Sequence, residues 1–220
     1  MKLIARILEK SGLRRKSFSL NEIDVKLRRW LGFKGGYFIE CGANNGISQS
    51  NTLYYERYMR WSGLLVEPIP ELAEACRRNR PNCSVEQCAL ISSDYTSKSV
   101  KMHYCNLMSM VEGAMKTADA DTAHLKTGCD VQRIRSFPLT VPAETLSALI
   151  DRNNCPSIDF LSLDVEGYEA QALRGLDLTR HRPRFILVEA RFPDDIESVL
   201  NEHYSREASL SDHDVLYKAR

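Results

Sequence analysis

Residues 37–51 read YFIECGANNGISQSN. Tyr37 to Cys41 is an apolar, aromatic run with one acid, Glu40, near its end. Gly42, Asn44, Asn45 and Gly46 follow at once, residues that accept tight or left-handed backbone. The pattern is a buried strand ending in a turn. Beyond it, short apolar runs alternate with helical stretches, which predicts an α/β layer fold around a mostly parallel sheet. Strands are expected over 37–41, 64–67, 85–90, 160–164 and 185–189, with 99–104 as an additional strand and 215–217 as a last edge strand. Helices are expected over 50–58, 69–79, 145–151 and 168–173.

The chain has 220 residues, 43% of them hydrophobic. That is enough for one sizeable core and too little for two independent ones. A Gly35-Gly36 break sets the organisation: an N-terminal helical extension over 1–34 and one domain over 35–220. In the extension Ile23, Leu27, Trp30 and Leu31 share one helical face, and Leu3, Ile4, Ile7 and Leu8 share another. The first helix is basic, so it either packs on the body or rests on an anionic membrane surface as a peripheral contact. Residues 105–137 are polar and weakly periodic. They read as an insertion, either a lid over a binding site or a connection without contact to ligand.

Net charge is +1 but unevenly placed: residues 1–34 hold ten Lys or Arg against three acids. The rest is mildly acidic, which argues against a body built to grip nucleic acid. Seven cysteines without CxxC spacing read as reduced thiols in a cytoplasmic protein; the alternative is a metal site from Cys83, Cys88 and His103. The opening residues MKLIARILEK are too interrupted by charge for an export signal or a membrane span.

A glycine turn after the first strand of such a sheet lies where ligands bind. The dinucleotide fingerprint G-x-G-x-x-G is absent, since Gly42 and Gly46 are only two glycines at another spacing. Glu40 at the strand tip would repel a pyrophosphate by roughly 4 kcal/mol at ~4 Å with an effective dielectric of about 20. A ligand with a positive centre and no phosphate meets no such penalty, and S-adenosylmethionine is such a ligand. Glu67, at the end of the next strand in LLVEP, suits a ribose diol; its other reading is a cap on the helix opening at Pro70.

FIECGANNGISQS, GLLVEPIPE, VEQCALI, IDFLSLDVEGYE and FILVEAR together resemble the FkbM-type methyltransferases, a branch of the class I S-adenosylmethionine-dependent enzymes. The resemblance runs from about Gly35 to Arg191. It implies a Rossmann-like, doubly wound sheet of seven strands with an antiparallel last strand, and O-methylation of a small natural product or of a sugar hydroxyl in a glycan precursor. It also implies that Glu40, Gly42, Ala43 and Asn44 line the methionine end, with Gly46 a further cofactor-binding residue of the loop, Glu67 the ribose with Pro68 and Ile69 beside it, and residues 86–89, Ala89 included, the adenine. The family's strand acid is more often Asp, one methylene shorter than Glu40.

Methyl transfer is an in-line displacement, so an enzyme must align the acceptor oxygen and take its proton. Asp164 and Glu189 end adjacent predicted strands and would stand close enough to resist joint ionisation. Either Mg²⁺ on Asp164 and Glu189 activates the acceptor hydroxyl, or Asp164 or a histidine, His103 or His124, is a metal-free base. Glu169 is expected to pair with a surface Arg, and Tyr104, Asn106, Met108 and Met110 to line the acceptor site. Two other functions fit the same residues: methylation of nitrogen or RNA, and a noncatalytic binding module.

Overall fold

The computed structural model describes residues 16–220; the basic helix expected before them, and its membrane contact, lie outside the described residues. A seven-stranded sheet forms the centre, built from β1 (Tyr37–Cys41), β2 (Ser62–Val66), β3 (Ser84–Glu86), β8 (Phe160–Leu163), β9 (Phe185–Glu189), β10 (Tyr204–Ser209) and β11 (Asp214–Ala219). Their spatial order is β10-β11-β9-β8-β1-β2-β3. Strands β3, β2, β1, β8 and β9 run parallel, and β11 runs antiparallel between β9 and β10. This is the class I methyltransferase sheet with its reversed last strand. The last strand is an interior one, however: β10, unread in the sequence for its polar residues, takes the edge.

The period-2 alternation of the strands sorts their side chains onto two faces. Ile39, Cys41, Leu64, Val66, Leu161, Leu163, Ile186 and Val188 join one core with α6 (Leu146–Arg152), α7 (Glu169–Arg174) and α8 (Pro193–Leu200). Phe38, Leu65, Phe160, Phe185 and Leu187 join the opposite core. There they meet α1 (Ile23–Lys26), α2 (Arg28–Leu31), α3 (Leu53–Met59) and α4 (Pro70–Asn79). Ile23, Leu27 and Leu31 are buried on that face as the periodicity required. Cys83 packs with one core and Cys88 with the other, so the sheet separates them and the cysteine–histidine metal site does not assemble.

The strand expected over 85–90 is two. β3 ends at Glu86, and β4 (Ala89–Leu90) belongs to a second sheet of order β4-β7-β5-β6, with β5 (Ser99–Tyr104), β6 (Met110–Val111) and β7 (Phe137–Glu144). The insertion is also more ordered than its sequence suggested. It contains β6 and the 15-residue helix α5 (Ala118–Gln132), which begins at a Thr117 side-chain cap on the Ala120 amide. Weak amphipathicity hid α5, because only one edge of it is buried: Asp121, His124 and Gly128. No helix among the described residues is long and apolar enough to cross a membrane.

Candidate active site

The four central parallel strands end in register. Cys41 pairs with Val66 and Leu163, and Leu163 with Val188. Gly42, Glu67, Asp164 and Glu189 are the next residues on their strands, so they share one rim, where the connections leave β1 in opposite directions. Gly42 makes the close approach there: at φ +79°, a Cβ on it would stand 1.8 Å from the Asp164 carbonyl oxygen. A cavity of about 350 Å³ opens at this rim, a size normal for a small-molecule site.

Of the cofactor residues expected from the sequence, Glu40, Gly42, Ala43, Asn44, Glu67, Pro68 and Ala89 line this cavity, and Gly46 does not. Gly46 instead packs against the Arg80 stem and α4. Glu40 is buried and fully engaged: it accepts from the Ser50 and Thr52 hydroxyls and the Asn51 amide, with Arg80 Nη1 at 3.4 Å. The charge of Glu40 is therefore not free to repel a phosphate as its position in the sequence suggested. Arg80, itself fully buried, neutralises it from behind, while also donating to the Gly46 carbonyl, bonding Thr52 Oγ1 and pairing with Glu56. Burial works against the guanidinium charge, and Glu40 and Glu56 more than offset it, raising its pKa.

Glu67 holds the loop from the other side, accepting from the Asn44 amide at 2.8 Å and from the Ile69 amide at 2.9 Å. The Ile69 bond ties down the entry to α4, which is the capping role in part. Burial pushes its carboxyl up to about 7, against the two amide bonds. Asn44, left-handed at φ 47°, reaches across to Asn106 of the insertion, Nδ2 to Oδ1 at 3.1 Å. Cys88, Ala89 and Leu90 form another wall. Glu86 is turned to Arg152 and Asn153 instead and does not line the cavity.

Carboxylates gather on the β8–β9 side. Ligand oxygens of Asp164, Glu166 and Glu189 lie within 4.8 Å of one another. Asp164 is open to solvent through the cavity yet surrounded by its walls. That enclosure, then Glu189, Glu166 and Glu169, pushes its carboxyl well above the usual range. Burial and Glu189 push Glu166 up to about 8, against Arg191, whose Nη2 is 3.3 Å from Glu166 Oε2. Glu189 Oε2 is buried without a hydrogen-bond partner, with Arg191 no nearer than 4.0 Å.

Glu169 is not a surface ion pair: it is buried and accepts from the Val165 and Gly167 amides at 3.0 Å, fixing the turn. Gly167 bends the chain there, at φ +90°. Glu166 is left-handed at φ 54°, the kind of backbone often held at functional sites.

His103 is not brought to this cluster. It follows Met102, which lines the cavity, along β5, and so points from the opposite face of the small sheet. His124 does reach it, with Nε2 3.4 Å from Glu166 Oε2 and 3.3 Å from the Met108 carbonyl. Burial and Arg191 lower its pKa. Asn106 and Met108 line the cavity as expected, whereas Tyr104 and Met110 do not. Sequence reasoning missed Arg80, hidden in a run of arginines, and gave Arg191 no role.

Sheet order, rim and insertion define a class I methyltransferase. The sequence profile of the Methyltransferase FkbM domain matches residues 40–214, and the chain belongs to that family. No match was found among curated protein sequences. Among solved structures it resembles a putative caffeoyl-CoA O-methyltransferase from Staphylococcus aureus at 6% identity, covering 99% of this chain and 91% of that one, with TM-score 0.50. It is also similar to a TehB-like SAM-dependent methyltransferase from Corynebacterium glutamicum (12% identity, 100% and 96% covered, TM-score 0.47). Methyltransferase FkbM from Methylobacillus flagellatus is similar at 11% identity, with 99% and 60% covered and TM-score 0.48.

Proposed function

We propose that this protein transfers a methyl group from S-adenosylmethionine to a hydroxyl, on a sugar of a glycan precursor or on a small natural product, in the cytoplasm. The observation that carries this reading is the single cavity joining the Gly42–Asn44 loop and Glu67 to the Asp164, Glu166 and Glu189 cluster. Glu67 keeps a free lone pair on each oxygen for a ribose diol, and Arg80, which braces the loop from behind, does not line the cavity. The acid cluster then receives the acceptor hydroxyl. Carboxyls titrating near neutrality are suited to take its proton as the oxygen becomes the nucleophile.

The cluster also fits a hard cation, because Glu189 Oε2 is buried and unpaired beside two further carboxylates. Asp164, Glu166 and Glu189 would hold Mg²⁺, which would supply a lowered pKa at the acceptor hydroxyl. The protein's own part is the same in either case: orient the acceptor, exclude water and hold the proton removed.

Calorimetric titration of S-adenosylmethionine and S-adenosylhomocysteine, with NAD as control, tests the cofactor. Micromolar binding of both, lost in Glu67→Ala, is expected; no binding by folded protein overturns the reading. An acceptor screen over sugars with and without Mg²⁺ then tests the rest.

A further inference from the structure

Cys105 and Cys129 come within 3.9 Å, sulfur to sulfur, inside the insertion. They sit where α5 packs on the turn at Asn106–Met108. Gly128 makes that approach: a Cβ on it would meet Cys105 Sγ at 2.6 Å and Met108 Cβ at 3.1 Å. Gln132, one turn of helix beyond, already clamps the two segments, donating to the Cys105 carbonyl and accepting from the Leu107 amide. Both segments form cavity wall through Asn106, Leu107, Met108, Val131 and Gln132. Cys105 is fully buried and Cys129 is half-buried. One thiol of the pair is thus open to a small reagent while the other is screened.

We propose that Cys105 and Cys129 form an oxidative cross-link that locks α5 onto the 106–108 turn and so fixes one wall of the candidate active site. The oxidant is a small-molecule disulfide of the glutathione type. The Cys129 thiolate attacks it, forming a mixed disulfide and releasing one reduced thiol. Cys105 then loses its proton and attacks the Cys129 sulfur, and the second small thiol leaves with that proton. Two protein thiols are oxidised and one small disulfide is reduced to two thiols. The sulfurs must close from 3.9 Å to about 2.05 Å. Burial, and then Cys129 beside it, push the Cys105 thiol up to about 12. Cys105 therefore acts second, within an already formed mixed disulfide. The cross-link requires neither acceptor nor cofactor.

The sequence makes the test direct. Trypsin leaves Cys105 as the only cysteine of peptide 102–116 and Cys129 as the only one of 127–133. Full-length protein is incubated in glutathione buffers of rising oxidised fraction, its free thiols are blocked, and it is digested without reduction. Wild type is expected to yield the linked pair of peptides, Cys105→Ser a glutathione adduct on 127–133, and Cys129→Ser an unmodified 102–116. Amide exchange in 106–109 and 127–132 should slow about tenfold on linkage, and the melting temperature should rise on the order of 5 °C. Absence of the linked peptides, when half-buried Cys83 or Cys155 is already modified, overturns the cross-link. Linkage without slower exchange in those segments overturns the lock.

Discussion

On the β1–β2 side of the cavity every carboxylate oxygen has a donor: Glu40 is met by two hydroxyls, an amide and Arg80, and Glu67 by two amides. On the β8–β9 side Asp164, Glu166 and Glu189 crowd one another, and a buried oxygen of Glu189 has none. The same residue type does two jobs at one rim. Satisfied acids hold the loop in shape, because their charge is spent inside the protein. Crowded acids with an unmet oxygen favour a proton, a cation or a hydroxyl beside them, which is the demand on which the proposed chemistry rests.

Removing Arg80 breaks this contrast most severely. Arg80→Ala would leave Glu40 and Glu56 buried without their counter-ion, and removal of one partner from a buried pair costs about 3–5 kcal/mol. Urea unfolding should show that loss in full, and Arg80→Lys should recover only part of it, since one ammonium cannot reach the Gly46, Thr52 and Glu56 oxygens together. A loss below about 1 kcal/mol, the size of a surface pair, would mean that the loop side is no better satisfied than the acid side.

Gly42→Ala tests the seam between the two sides. The new Cβ collides with the Asp164 carbonyl, and the left-handed backbone adds strain of about 1–3 kcal/mol. The protein should still fold, with S-adenosylhomocysteine binding weakened at least tenfold in calorimetry. Unchanged affinity would separate the loop from the site.

A smaller effect distinguishes the acids by pH. Asp164, Glu166 and Glu169 have folded pKa values above their unfolded ones, about 8 for Glu166 and about 7 for Glu169. Groups shifted upward contribute stability below the unfolded pKa and lose it as pH rises through the folded value. Metal-free protein should therefore lose stability between about pH 5 and 8. Asp164→Asn should flatten that fall and raise stability at pH 8 by about 1 kcal/mol, while methyl transfer drops at least ~100-fold. Thermal unfolding across pH, with and without Mg²⁺, checks it. A wild-type curve that rises towards pH 8 without metal would remove the demand on which the comparison rests.

How far the sequence disclosed this arrangement follows from the range of the interactions. The central strands were readable because they are apolar runs on both faces, and the rim acids because they sit at or just past the ends of such runs. Arg80 was not, since nothing local separates it from Arg77 and Arg78, both exposed on α4; only the fold buries it against Glu40. Residues 85–90 read as one strand because Glu86 and Gln87 are only a short polar interruption between Val85 and Cys88, although the chain changes sheets there. The small sheet rests on the long-range pairing of β5 with β7. Pro138 and Pro142 obscured β7 in the sequence.

The two histidines sharpen the comparison at its low end. His124 touches Glu166 and belongs with the unsatisfied side, so its removal is felt through that carboxylate. His103 was an equal candidate for the base by sequence, but the alternation of β5 that aims Met102 into the cavity aims His103 away. His103→Ala should change kcat/KM less than about twofold and stability by no more than ~0.5 kcal/mol, as expected for a partly exposed side chain outside the site. Steady-state kinetics with the acceptor found in the screen measures it. A collapse in rate with an unchanged fold would require β5 to present its other face to the acceptor, and the proton would then leave through the insertion instead of through the acids of β8 and β9.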